Sequence, residues 1–253
     1  MQTGLRSPVA KYYAYKATEF VSFTAAIWIL FVRSRGLSFA AVGALNSVWW
    51  LALVAGEIPT GYVGDRLGRR SAMALGTAII AVSTVAMGLS STFLQFAVVY
   101  ATWALGQTFR SGSDDAWLYD LLGETDETHE FATVRGRATG IGLAIGAVTT
   151  LAGGIMADAT NYSVPFFATA VVTALGIPIL LSIPESGGGG DDFTPRMAVR
   201  VIRERLTRPP LRGFVVYFAL LFGVVNMAYI FDQPIVRDVA LGLGVPDSAT
   251  NTA

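Results

Sequence analysis

Four residues of one apolar stretch, Trp103, Gln107, Arg110 and Asp114, are spaced four, three and four apart. On a helix that spacing puts them on one face, and Arg110 and Asp114, one turn apart, can pair directly. A carboxylate held against a cation in apolar surroundings suits a proton site, because protonation cancels its charge and alters the pairing. The same residues also fit a structural ion pair near the end of the run, or side chains that reach to water. A second acid, Glu19, lies in the first apolar run and shares a face with Tyr15, Ser22 and Ala26. It suits either a proton or cation site or a pair with neighbouring Lys16. Glu57 shares a face with Asn46, Trp50 and Leu53 and stands where it can brace the charged turn that follows. Asn226 lines up with Tyr229 and Gln233 in the last apolar run. Trp28, Trp49, Trp50 and Trp103 fit either the wall of an apolar cavity or anchors at a membrane interface.

The charged turn reads Gly61-Tyr62-Val63-Gly64-Asp65-Arg66-Leu67-Gly68-Arg69-Arg70. Gly61 and Gly68 permit close approach and unusual backbone angles. Asp65 is expected near the start of the following helix, where a carboxylate accepts backbone N–H groups. Arg69, four residues on, is expected to pair with it.

The elements that hold these groups follow from composition. Hydrophobic residues make up 53% of the 253 residues and charged ones 14%, with a mean hydropathy of +0.53. Soluble domains carry roughly 25% charge. The apolar residues come in blocks near the roughly 20 residues a helix needs to cross a bilayer. Seven spans are predicted, over 13–32, 39–60, 71–90, 93–115, 134–156, 164–183 and 213–233. The runs are too long and continuous for a membrane barrel, whose strands alternate over about 10 residues. The fold class is therefore all-α and polytopic. In the fifth span Gly136, Gly140 and Ala144 recur every fourth residue, with Gly142 and Gly146 beside them, and predict a close-packing face.

Orientation follows from the arginines and lysines. With the N-terminus inside, fourteen fall on the inner side, among them Lys11, Arg66, Arg69, Arg70, Arg135 and Arg200, against Arg33, Arg35 and Arg237 outside. That bias places the N-terminus in the cytoplasm. Three regions are expected: a six-helix domain over 1–186, a cytoplasmic linker over 187–212, and the first helix of a second membrane domain over 213–253. The linker opens on Gly187-Gly188-Gly189-Gly190 and continues into a basic amphipathic stretch over 197–206, which suits either the inner lipid surface or a solvated helix.

Several classes are excluded. Zero net charge argues against nucleic acid, and the absence of cysteine together with a single histidine, His129, argues against a metal site. No cofactor is expected. No nucleophile–histidine–acid set or phosphate-cradling loop is present, so an enzyme is not expected. A channel lacks any filter-like segment, and a cleaved signal peptide does not fit a first run that carries Glu19.

Gly61, Asp65, Arg66, Gly68, Arg69 and Arg70 match the signature loop of the major facilitator superfamily at its defining positions, and Glu57-Ile58-Pro59-Thr60 resembles that family's approach to it. Arg35-Gly36-Leu37-Ser38 and Arg135-Gly136-Arg137-Ala138 agree as well. Ser111-Gly112-Ser113-Asp114-Asp115-Ala116-Trp117-Leu118-Tyr119-Asp120 resembles a drug-efflux-like subset. The resemblance implies a secondary transporter working by alternating access, with substrate bound between two six-helix halves. It further implies proton-coupled export of small organic compounds, and a latch role for the loop beneath the other half. Gly153-Gly154 stands where the antiporter subset has a glycine-proline element, and the proline is missing. The chain would supply one half and a single helix of the second. Its expected partners are a small-molecule substrate, the lipid of the cell membrane and a complementary second-half chain. The rival reading is a non-transporting membrane component that needs such a chain.

Overall fold

The computed structural model describes residues 3–124, 127–185, 204, 209–229, 235–236, 239 and 241–243. Among these no strand occurs. The helices are α1 (Thr3–Phe20), α2 (Trp28–Ser34), α3 (Phe39–Leu67), α4 (Arg69–Leu89), α5 (Phe93–Gly123), α6 (Phe131–Ala159), α7 (Val164–Leu181) and α8 (Pro209–Tyr229). A single 3-10 turn, Thr128–Glu130, leads into α6. The linker's glycine run and nearly all of the expected basic helix over 197–206 lie outside the described residues.

Local chemistry sets the ends of the helices. Ser38 caps α3 by accepting the Ala41 N–H at 3.2 Å. Thr92 and Gln95 form a reciprocal capping box at the start of α5, each side chain taking the other's backbone N–H. Between α3 and α4 the joint is one residue, Gly68, at φ +87°, in the left-handed region that a side chain disfavours.

The first predicted span is not one helix. It is broken between α1 and α2, where residues 21–27 form turns and no continuous helix. Val21-Ser22-Phe23-Thr24-Ala25-Ala26-Ile27 contains neither glycine nor proline, so the break has a tertiary cause. The Ser22 N–H donates to Thr149 Oγ1 at 3.1 Å, and the Phe23 N–H to Thr169 Oγ1 at 3.2 Å. Thr150 donates to the Ser22 carbonyl at 3.3 Å. Three hydroxyls of α6 and α7 thus replace bonds the helix gives up, which irregular backbone inside a membrane requires. Gly153 completes the fit, since a β-carbon there would overlap the Phe23 carbonyl.

Only part of the expected small-residue face of the fifth span packs closely. Gly136 and Gly140 face open space, whereas Gly142, Gly146 and Gly153 receive Phe20 and Phe23 of the broken span. Spacing alone identifies a stripe of small residues; it does not say which of two stripes meets a neighbour.

The helices pack in series, α3 on α5, α5 on α4, α4 on α7, α7 on α1 and α1 on α6. Two apolar cores result. One lies at the end carrying the α3–α4 loop and is built on Tyr12, Tyr15, Met73, Trp117, Leu122 and Leu180. The other, at the opposite end, is built on Ile27, Phe31, Leu45, Phe96, Tyr100 and Phe166. Large apolar side chains such as Leu51, Val54, Val82, Leu94, Leu143 and Leu151 point outward. Four helices among the described residues, α3, α4, α6 with its leading 3-10 turn, and α7, are long and apolar enough to cross a bilayer. Outward apolar faces on such helices suit lipid as the surrounding solvent.

Candidate site: a buried charge ladder and an arginine loop

Between the two cores, α1 and α5 present four charged side chains to each other. Lys16 Nζ lies 2.6 Å from Asp114 Oδ2 and 2.6 Å from Glu19 Oε2. Arg110 Nη2 lies 2.8 Å from Glu19 Oε1. The order is Asp114–Lys16–Glu19–Arg110, with signs alternating and a net charge of zero. The Lys16 and Arg110 side chains retain only 9% and 5% exposure. Charges so buried must be matched, because an unmatched one loses its hydration with nothing in return. Tyrosines wall the ladder. The Arg110 guanidinium sits 5.8 Å from the Tyr15 ring, and Tyr12 stacks on Trp117 at 5.6 Å.

The expected direct pair between Arg110 and Asp114 is not formed. Each member of that pair takes a partner from α1 instead: Arg110 takes Glu19, and Asp114 is held by Lys16. Either pairing leaves both helices neutral; the cross-helix one gives the buried Lys16 ammonium two carboxylates at once, Glu19 and Asp114, and each buried charge a partner on the facing helix. Glu19 does meet Lys16, as its neighbourhood allowed. Lys16 itself was not expected as a site residue, and its placement three residues before Glu19 was the available signal.

The other expected residues lie apart. Gln107 is half-buried one turn before Arg110 and takes no part in the ladder. Glu57 is exposed and accepts a 3.4 Å bond from Ser111, which ties α3 to α5 rather than bracing the arginine turn. Asn226 falls within α8, with its side chain outside the described residues. The four tryptophans gather beside Tyr100: Trp28 and Trp103 each stand 6.2 Å from it, Trp103 6.1 Å from Trp49, and Trp49 4.6 Å from Trp50.

The arginine loop forms a second cluster at the other side of the first core. Arg69 pairs with Asp120 of α5 at 2.7 Å. Arg70 pairs with Glu185 at 3.2 Å, its backbone N–H donates to Glu185 Oε1 at 2.8 Å, and its guanidinium donates to the Ile183 carbonyl. Trp117 donates to the Pro184 carbonyl at 2.9 Å. The loop is thereby clamped to the end of α7 and to α5. Asp65 is not at the start of α4. It lies in the last turn of α3, exposed, and Arg69 turns away from it toward Asp120. The helix continues six residues past Gly61, so that glycine is helical and open on its outer side, and the chain turns at Gly68 alone. Arg66 stacks 4.4 Å from the Tyr62 ring. Asp120 and Glu185 are the partners that sequence spacing missed, because both are distant from the loop along the chain.

Comparison with known proteins agrees with this architecture. The family model of the Major Facilitator Superfamily matches residues 15–251. An uncharacterized MFS-type transporter of Methanocaldococcus jannaschii is 25% identical over 147 residues, 58% of this chain and 37% of that protein. The uncharacterized MFS-type transporter YxaM of Bacillus subtilis is 26% identical over 98 residues, 39% of this chain and 25% of that protein. Among solved structures, a bacterial homolog of the human lysosomal transporter Spinster superposes with a TM-score of 0.62 at 17% identity, covering 98% of this chain and 57% of that one. A D-xylose-proton symporter superposes with a TM-score of 0.57 at 16% identity, covering 98% of this chain and 63% of that one. These matched stretches span between a quarter and under two thirds of the relatives' own length. The chain belongs to the major facilitator superfamily.

Proposed function

We propose that this chain supplies one half of a proton-coupled secondary transporter that moves small organic compounds out of the cell by alternating access. The observation that carries the reading is the ladder Asp114–Lys16–Glu19–Arg110, four matched charges buried between two helices. Such groups are costly inside a membrane and mark ion or substrate pathways. Protonation of Asp114 removes one charge and releases Lys16 from one of its two carboxylates. The balance between α1 and α5 then changes, which is what a carrier needs to bias one state over another. The arginine loop takes the role of a latch in this scheme. Its exposed Asp65 and Arg66 face away from the bundle, available to a second half, while Arg69 and Arg70 fix the loop to its own half.

Export is supported by the drug-efflux-like stretch at residues 111–120. Placement in the cell membrane with the N-terminus in the cytoplasm is supported by the bias of arginine and lysine. In this arrangement residues 1–186 form the first domain, 187–212 the linker and 213–253 the entry to the second. The open faces of α3 and α6, on which Leu51, Val54, Leu143 and Leu151 are exposed, support a complementary chain or domain as partner.

The test is flux in proteoliposomes under an imposed pH gradient, with the chain alone and with a complementary half. Proton-driven flux that vanishes in Asp114→Asn, with the folded protein recovered in equal yield, supports the reading. Unchanged pH-driven flux in that variant removes the coupling role.

A further inference from the structure

The charge ladder is neutral as it stands, and two of its details say what would complete it. Arg110 is 4% exposed, yet its Nε has no acceptor. At the far end, Asp114 Oδ1 and the hydroxyl of neighbouring Tyr12 are both buried, and neither has a well-formed hydrogen bond. A buried guanidinium N–H without an acceptor asks for an oxygen, and a buried carboxylate oxygen without a donor asks for a proton. An organic cation would find Asp114 Oδ1 alone, and its charge would add to a ladder that is already neutral. Both Glu19 oxygens and Asp114 Oδ2 already face Lys16 or Arg110.

We infer that the substrate is a small organic monoanion of the carboxylate class, carried together with one proton, the carboxylate on Arg110 and Lys16 and the proton on Asp114. The inference rests on the transporter reading above and deepens it. A hydronium ion gives one proton to Asp114 Oδ1, its O–H bond breaks as the new one forms and water is left, while Lys16 remains an ammonium. The ladder then holds Lys16, Arg110 and Glu19, a net charge of one positive, and a bound monoanion restores zero. A neutral compound would leave the protonated site unbalanced, and a cation would make it worse; in a low-dielectric site such imbalance is strongly disfavoured.

The surrounding charges do not upset this count. On α1 the groups facing Asp114 are Tyr12, Lys16 and Glu19. On α5 itself, Asp115 is matched by Arg135 of α6 and Asp120 by Arg69 of α4. Glu57 of α3 is exposed, where solvent screens it. Export is compatible with co-transport of anion and proton, since a concentration of the anion inside drives both outward.

The test is calorimetric titration of the purified chain in detergent with acetate, lactate and benzoate, beside neutral benzamide and cationic benzylamine. With one proton taken up per anion, binding of at least one carboxylate is expected to be about a hundredfold tighter near pH 5.5 than near pH 7.5. One proton is expected to be taken up per anion, read from the dependence of the heat on buffer ionisation. Asp114→Asn, which keeps the size of the protonated acid, should bind the anion equally at both values and take up no proton. Lys16→Gln should lose most of the affinity, and Arg110→Lys, which keeps the charge and removes Nε, should weaken it while circular dichroism confirms the helices. Tighter binding of benzylamine with proton release, or no pH dependence for any of the three carboxylates, would overturn the inference. Flux that persists with benzamide or benzylamine but not with the acids sinks the substrate class and spares the transporter reading. Anion binding coupled to proton uptake, without flux of any compound even with a complementary half, sinks the transporter reading alone.

Discussion

Lys16 Nζ of α1 and Asp114 Oδ2 of α5 meet at 2.6 Å across 98 residues of chain. The contact is mostly buried, so its energetics differ from those of a surface pair. Removing one partner leaves a buried charge unmatched, at a cost of about 3–5 kcal/mol, whereas replacing both with apolar groups is often neutral. Lys16→Met is therefore expected to lower stability by about 3 kcal/mol. Adding Asp114→Leu should recover most of that loss, because Glu19 and Arg110 still match each other. Denaturant unfolding in detergent, followed by helical circular dichroism, measures both. A double variant no more stable than Lys16→Met would mean that the pair does not bridge the helices.

Asp114 and Asp115 are sequence neighbours with different surroundings, and that difference offers a sharp control. Asp114 is embedded in the ladder, while Asp115 pairs with Arg135 at side-chain exposures of 45% and 53%. An exposed pair contributes at most about 1 kcal/mol. Asp115→Asn is expected to leave pH-driven flux within about twofold of the parent, since a loss below half a kcal/mol changes a rate little. Asp114→Asn should abolish its pH dependence. Side-by-side flux measurements at several external pH values decide the matter, and equal effects of the two changes would break the assignment.

At the arginine loop, Gly68 and Glu185 are in direct contact. A β-carbon at Gly68 would stand 2.8 Å from the Glu185 carboxyl, and the backbone there holds φ +87°. Gly68→Ala therefore meets backbone strain of about 1–3 kcal/mol and displaces Glu185 from Arg70. Glu185→Gln keeps an oxygen for the Arg70 N–H and loses only a half-exposed ion pair, worth about 1 kcal/mol or less. The expected ranking is a larger loss for Gly68→Ala, measured by thermal unfolding. Exchanging the charges, Arg70→Glu with Glu185→Arg, should recover part of what Arg70→Glu loses. Failure of that exchange to recover anything would place the role of Glu185 in its backbone N–H bond alone.

What the sequence reveals and what it hides divides along physical lines. Lengths of apolar runs and the caps at Ser38 and Thr92 are local, so helices over α3 to α7 are legible from composition and spacing. The loop is legible as a motif. Its partners Asp120 and Glu185 are set by how α5 and α7 end beside it, which no local spacing encodes. Pairing within the ladder fails for a related reason. Helical spacing brings Arg110 to Asp114, and only the approach of α1 decides that Lys16 and Glu19 intervene. The break in the first span is hidden most deeply, because residues 21–27 carry no helix-breaking residue and the hydroxyls that stabilise the turn reside more than 120 positions away.

That break is open to a direct measurement. In a continuous helix the Ser22 N–H would bond to the carbonyl of Thr18, and Thr149 would be irrelevant to it. In the broken span the Ser22 and Phe23 N–H groups depend on Thr149 and Thr169. Thr149→Val removes the hydroxyl while keeping the shape, leaving a buried donor without a partner at a cost of about 1–3 kcal/mol. Hydrogen exchange at Ser22 should accelerate by about tenfold or more, given 1.4 kcal/mol per factor of ten, with little change in the middle of α4. Thr169→Val should do the same at Phe23. Gly153→Ala cannot be absorbed without moving the Phe23 carbonyl and should accelerate both. Exchange at Ser22 that ignores Thr149→Val would mean that the first span is an unbroken helix.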